Sequence, residues 1–272
     1  MSEPKISIIT VCKNAESAIE RTMLSVVTQS CFAENIEYLI IDGASTDKTA
    51  EIIQQYANKY PIKWISEPDS GIYNAMNKGI KLATGDYLLF LNAGDYLVHY
   101  NIIKLLIKLF ERGSFDLVYG NVLSIDPISE KYFIKAIENP DIFFFFENSL
   151  PHQAVFYKKS LFDKFGLYDE TFTILADNVF NKKIICDEHI SLKHVNQVVS
   201  VFLGDGISST NMKLNLEDRN FFQETYFSEE EIQEIEKQTK RSEIIKQRQQ
   251  KKSILRFFAK ILMKIHDLWI NR

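Results

Sequence analysis

Cysteine, glycine and proline are all sparse in this chain, and each scarcity removes a class of protein. The three cysteines, Cys12, Cys31 and Cys186, are odd in number and far apart in 272 residues. They fit no disulfide framework and no zinc spacing, so reduced thiols in a cytosolic setting are expected. The ten glycines are scattered, and none falls in a GxxxxGK[ST] or GxGxxG pattern. A P-loop and a classical dinucleotide fingerprint are therefore excluded, because both hold phosphate by glycine-rich backbone. Six prolines, with no Gly-, Pro- or Ser-rich stretch and no internal repeat, leave no flexible linker. No apolar run approaches the roughly 20 residues that span a bilayer, and IFFFF at 142–146 is far too short. Residues 1–12 lack a basic segment ahead of a long apolar core, so a signal peptide is not expected.

What is present points to a folded α/β protein. The chain is 46% hydrophobic and 25% charged, and 20 Phe with 12 Tyr offer ample apolar surface to bury. Between Lys240 and Arg272 ten basic residues stand against two acidic ones; set against an overall charge of −4, this leaves −12 on residues 1–239. An acidic body with a basic tail predicts a tail that meets something anionic. Nothing resembles a base-reading module, so nucleic acid is not an expected partner.

Strand and helix signals alternate through the first half. ISIITV, YLII, KWI, YLLFL and DLVY read as strands. Segments 15–29, 48–60, 71–83 and 101–112 carry apolar residues at helical spacing. This order implies βαβ units and a mostly parallel open sheet with flanking helices, in which ligands bind outside the carboxyl ends of the strands. Asp42, Glu67, Asp69, Asn92, Asp95 and Asn121 all follow strand signals and are expected along one edge. Carboxylates crowded there repel one another unless a cation or hydrogen-bonding ligand lies among them. Mg2+ or Mn2+ held by one or two acids, its shell completed by phosphate oxygens and water, fits that pattern.

Several ordered motifs sharpen this expectation. ISIITVCKNAESAIERTMLSVVTQ, YLIIDGASTDKT, WISEPDSGIYNAMNKGIKLATGDYLLFLNAGD, HQAVFYKKSLFDKFGLYDE and LGDGISS resemble the family 2 glycosyltransferases. The likeness is closest to the bacterial branch that builds capsule, O-antigen and exopolysaccharide units of the colanic-acid type. It covers residues from about Lys5 to about Ser209, three quarters of the chain.

The resemblance implies a GT-A fold, a nucleotide-diphosphate sugar donor (in the first instance a UDP-sugar), a divalent metal, and inverting transfer. It places Thr10, Cys12 and Asn14 in the nucleotide pocket, Asp42 on the base, and Ser45 and Asp47 in the following turn. Asp69, Asn77 and Lys78 would lie near the ribose and phosphates. The family's Asp-x-Asp metal motif falls on Asn92-Ala93-Gly94-Asp95, which makes Asp95 the metal ligand and Asn92 a partner for a ribose hydroxyl. The catalytic base falls on Asp177, and His152 and Gln153 in the vicinity of the acceptor or diphosphate.

The implied organisation is a transferase domain over 1–210, with a nucleotide half to about 121 and an acceptor half over 122–210. A helical extension, 211–272, ends in a basic amphipathic tail. The acceptor would be lipid-linked or a saccharide, and the protein would sit peripherally on the cytoplasmic membrane face through residues 251–272. A sugar nucleotidyltransferase and a catalytically silent nucleotide-sugar scaffold are the alternatives.

Each of these residues also has a purely structural explanation. Asp42-Gly43 is a common turn pair, Asp95 could cap a helix, and Asp177 could cap the helix it begins. Cys12 reads as a small pocket wall, 143–146 as a buried wall, and the segment around Gly204, Gly206 and Ser208 as a loop or lid. The tail helix could equally pack on protein, with apolar Ile254, Phe258, Ile261, Ile265 and Trp269 on one face.

Overall fold

The computed structural model describes residues 3–126, 131–204 and 211–240. The basic tail and residues 205–210 therefore lie outside the described residues. The chain forms two compact units that divide after Phe222. In the second, residues 229–240 are helical. That helix opens on a reciprocal capping box, in which Ser228 Oγ accepts from the Glu231 N–H and Glu231 Oε2 accepts from the Ser228 N–H.

The first unit is built on one sheet. Its strands are β1 (Ile6–Cys12), β2 (Ile36–Asp42), β3 (Ile62–Ser66), β4 (Tyr87–Phe90), β5 (Tyr96–Leu97), β6 (Leu117–Ile125), β7 (Tyr132–Lys135), β8 (Val155–Lys158) and β9 (Leu192–Leu203). They lie in the order β3-β2-β1-β4-β8-β6-β9-β5, with β7 beside β6. Strands β3, β2, β1 and β4 are mutually parallel, as are β6 and β9. Strands β8, β5 and β7 join antiparallel.

Strands β1 and β2 are buried along their whole length, as near-continuous apolar runs at the centre of a parallel sheet must be. The helices are α1 (Ile19–Val27), α2 (Phe32–Asn35), α3 (Thr49–Ala57), α4 (Ile72–Leu82), α5 (Ile102–Phe110), α6 (Ile142–Glu147), α7 (Ser160–Phe165), α8 (Ala176–Ile185) and α9 (Met212–Tyr226). The helical periodicity read in the sequence is realised on α4, which buries Tyr73, Met76 and Ile80, and on α5, which buries Ile102, Ile103, Leu106, Ile107 and Phe110. Segment 143–146 forms most of α6, with Phe145 completely enclosed.

Two interior features fix the frame of the site. At the amino end of the parallel strands, Glu37 accepts from Ser7 Oγ at 2.6 Å, Lys63 Nζ at 2.7 Å and the Thr84 N–H at 2.6 Å. Burial opposes its charge, but these partners outweigh burial and hold the carboxyl down at about 2. On the other side an aromatic cluster ties α7 and α8 to β4. Phe162 stacks on Phe180 at 4.5 Å, and Tyr168 lies 5.4 Å from both Phe90 and Phe180. Offset rings of this kind add about 0.5–1.5 kcal/mol per pair beyond area burial.

One expectation is corrected. Asn121 does not lie at a strand end. Strand β6 continues to Ile125, because β9 and β7 pair along its second half. Asn121 is buried within the strand, donating to Asn196 Oδ1 at 3.0 Å and lying 2.9 Å from His194 Nε2.

Candidate active site

The parallel strands deliver two groups of side chains to the same edge. The first follows β1, β2 and β3, where strand register sets Cys12 beside Asp42 and Asp42 beside Ser66. Asp42 is completely buried, and its own neighbours hydrogen-bond it. Its Oδ2 accepts from Ser66 Oγ at 2.6 Å and the Ser45 N–H at 3.1 Å, while Oδ1 accepts from the Ser45 hydroxyl.

The Cys12 thiol lies 3.7 Å from Asp42 Oδ1. Burial and the adjacent Asp42 charge push its pKa far up, which makes it a wall and not a nucleophile. Thr10 is completely buried, donating to the Leu91 carbonyl at 2.8 Å and lying 3.1 Å from the Tyr38 hydroxyl.

Asn14, in a left-handed turn at φ 50, ties the loop after β1 to the loop after β2. Its N–H donates to Ser45 Oγ at 2.7 Å, and its Oδ1 accepts from the Thr46 N–H at 2.8 Å. Asp47 continues the stitch by accepting from the N–H groups of Thr49 and Glu16 at 3.0 and 3.1 Å. Asp69 packs so closely on Gly43 that a Cβ there would collide with its carboxylate. Lys78 on α4 holds the segment ahead of Asp69 by donating to the Pro68 carbonyl at 2.7 Å and pairing with Glu67 at 2.9 Å. Asn77 turns the other way, bonding Tyr168 through its backbone N–H and C=O, and Glu170 at 2.9 Å.

The second group gathers where β4 ends. Gly94, at φ 110, lets the chain turn sharply there. Thr22 of α1 accepts from the Gly94 N–H at 2.9 Å and donates to the Asp95 carbonyl at 2.7 Å, fixing that turn from below. His152 lies between the two candidate carboxylates. Its Nε2 stands 4.0 Å from Asp95 Oδ2, and its Nδ1 stands 3.5 Å from Asp177 Oδ2. Asp95 and Asp177 are each only 6% exposed. Burial opposes charging the imidazole, yet the bond to Asp177 and the charges of Asp177 and Asp95 raise its pKa above the ordinary value. Gln153, the next residue, is buried.

Asn92 Nδ2 lies 3.0 Å from His152 Nε2. Asn92 Oδ1 is buried without a hydrogen-bond partner. This orphaned oxygen, on the same turn as the Asp95 carboxylate, tests the fit of a divalent metal. Both are hard oxygen donors of the kind Mg2+ and Mn2+ take. Among the described residues no three His, Cys, Asp or Glu side chains form a ready ligand set. The donors suit a cation that brings phosphate oxygens and water for the rest of its shell.

Four further residues complete this side, and the motifs did not single them out. The Tyr73 hydroxyl lies 2.9 Å from Asp177 Oδ1 and also against the Ile174 carbonyl. Lys135 of β7 is half-buried; burial lowers its pKa, while the charge of Asp177 favours its protonated form. Arg219 of α9 donates to the Phe146 carbonyl at 3.1 Å, and Asp218 accepts from the N–H of Leu175 at 3.3 Å. Tyr73 sits in the GIYNAMNKG segment, where its regular apolar spacing marks it only as core. The other three come from regions where no sequence pattern marks a site.

An open α/β sheet with carboxylates gathered at the carboxyl ends of its strands is the GT-A architecture. The Staphylococcus aureus TarS 1–349 structure in complex with UDP shares this fold, with a TM-score of 0.61 at 18% identity over 73% of this chain and 60% of that one. So does the mannosyltransferase PcManGT of Pyrobaculum calidifontis, solved with GDP-Man and Mn2+, with a TM-score of 0.57 at 16% identity over 73% and 56%. This chain thus spans less than two thirds of those proteins. The family model of glycosyl transferase family 2 matches residues 7–165. A PGL/p-HBAD biosynthesis glycosyltransferase of Mycobacterium bovis is 31% identical over 205 residues, 74% of this chain and 78% of that protein. The chain belongs to glycosyl transferase family 2.

Proposed function

We propose that this glycosyltransferase moves a sugar, with inversion, from a UDP-sugar to a hydroxyl of a lipid-linked or saccharide acceptor, extending a surface-polysaccharide unit. The observation that carries the reading is the line Asp95–His152–Asp177, which sets a metal-ligand candidate and a base candidate on either side of one imidazole. UDP and UDP-GlcNAc complexes of the S. aureus neighbour support the choice of donor.

In this reading the first group of side chains shapes the nucleotide pocket. Asp42 braces the ends of β1, β2 and β3, and Asp69 and Asn14 border the opening. Asp95 and Asn92 would hold Mg2+ or Mn2+. When bound, that cation supplies positive charge against the departing diphosphate. Asp177 takes the proton of the acceptor hydroxyl as its oxygen attacks the anomeric carbon. His152 and Tyr73 orient the Asp177 carboxylate, one at each oxygen.

Association with the cytoplasmic face of the membrane, through the basic amphipathic residues 251–272, belongs to the same proposal. Among the described residues no helix is long and apolar enough to cross a membrane.

A panel of nucleotide sugars, assayed for Mn2+-stimulated release of the nucleoside diphosphate, tests the reading. One UDP-sugar should stand out. Pyrophosphate release from a nucleoside triphosphate would mean a nucleotidyltransferase instead, and binding without turnover of any sugar would mean a silent scaffold.

A further inference from the structure

Helix α8, which carries Asp177 in its first turn, starts without a cap of its own. Its N-cap residue, Leu175, makes no side-chain capping bond. The backbone just ahead is held from elsewhere, by a residue 44 positions later on α9. Asp218 Oδ2 accepts from the N–H of Ile174 and, at 3.3 Å, from that of Leu175.

Both donors and the acceptor are enclosed, with Ile174, Leu175 and Asp218 exposed by 9%, 3% and 8%. A carboxylate costs more to bury than an amide, which could also accept both bonds. What the charge adds is a stronger grip on each N–H.

The grip passes on to Asp177. The Ile174 carbonyl, one atom pair from the bond to Asp218, receives the Tyr73 hydroxyl, and that hydroxyl also meets Asp177 Oδ1. Ile174 is thus held at its N–H by α9 and at its C=O by α4. A shift of this turn would move Tyr73 off the Asp177 carboxylate. It would also move Asp177 Oδ2 relative to His152. The neighbouring Arg219 reinforces the placement, since it fixes the end of α6 at Phe146 and sets a positive charge facing Asp177.

We infer that Asp218 is a positioning residue for Asp177, holding the 174–175 turn so that the Asp177 carboxylate stays aligned in the site. The inference rests on the reading of Asp177 as the base. It gives α9, which lies beyond the matched family region, a part in catalysis.

The test compares Asp218→Ala, Asp218→Asn, Asp218→Glu, Tyr73→Phe and the Asp218→Ala/Tyr73→Phe pair in the full chain. The readouts are UDP release from the UDP-sugar that the wild type turns over fastest, and UDP affinity by calorimetry. Asp218→Ala should lower kcat about 10- to 100-fold, the scale of a misplacement near 1 Å, with donor KM and UDP affinity within about twofold. Asp218→Asn keeps an oxygen for both N–H groups and should recover most of that loss. The pair should lose less than the product of the two single losses, because both act on one turn.

Wild-type kcat in Asp218→Ala overturns the inference. So does an equal fall of kcat and UDP affinity in the Ala and Asn variants, which marks a merely structural role. Should Asp218→Ala not fold, Asp218→Glu carries the test: its extra methylene displaces the turn, and wild-type kcat there is equally fatal. Asp177→Asn measured alongside separates the two readings. If it turns over normally, the base assignment itself falls. If it is dead while Asp218→Ala is normal, only the positioning role is lost.

Discussion

The proposed nucleotide side and the proposed acceptor side of this site are held together in different ways. On the nucleotide side, Asp42, Ser45, Ser66 and Asn14 bond one another at the ends of adjacent parallel strands, and Asp47 accepts from the N–H groups of Thr49 and Glu16. Strand register and the two loops that follow β1 and β2 bring them together. On the acceptor side, Asp177 depends on Tyr73, His152 and Asp218, which arrive from α4, the turn after α6 and α9. One side is a stitched edge, the other a convergence of distant segments. The lesson is that nucleotide binding and transfer should be separable by mutation.

The largest effect expected from that comparison is at Asp177. Asp177→Asn removes the proposed base but keeps the size of the side chain and an oxygen for Tyr73 and the Asn178 N–H. Turnover should fall about 10²–10⁴-fold, the usual worth of a positioned general base, while UDP affinity stays unchanged. Steady-state kinetics and calorimetry on the same preparation check both halves of that statement. A parallel fall in UDP affinity would break the separation.

A smaller effect, confined to the nucleotide-side framework, is expected in acid. The Glu37 carboxyl is held at about 2 in the folded protein, against an ordinary 4.5. A lowered folded value means the stabilisation is complete above pH 4.5 and is lost as pH falls toward 2. Allowing for screening at Lys63, whose side chain is 66% exposed, the loss amounts to about 2 kcal/mol. Denaturant titrations across that window should show it, and Glu37→Gln should flatten the slope. An unchanged slope in Glu37→Gln would place the acid sensitivity elsewhere.

The same contrast explains what could be read in the sequence. Strands β1 to β4 and helices α1, α3 and α4 follow from apolar periodicity, and the strand-end rule brings Asp42, Asp69 and Asp95 to one edge without a structure. Those signals are local. Asn121 misled because the strand-like run DLVY stops at Tyr119, six residues before the strand ends at Ile125; β6 is prolonged by pairing with β7 and β9, which no local pattern encodes. Asp218, Arg219 and Lys135 escaped for a related reason. A buried carboxylate on an acidic helix looks like any solvated charge until the turn it caps, 44 residues earlier, is in view. Residues 211–222, read in the sequence as the start of an appendage, supply two of these three.

The central claim is a division of labour, with Asp95 serving the donor's diphosphate and Asp177 serving the acceptor. It is tested most directly by titrating UDP with and without Mn2+ into the wild type, Asp95→Ala and Asp177→Asn. The claim predicts Mn2+-dependent tightening of at least about tenfold, or 1.4 kcal/mol, in the wild type and in Asp177→Asn, and none in Asp95→Ala. Equal tightening in all three proteins, or its loss in Asp177→Asn, would contradict it.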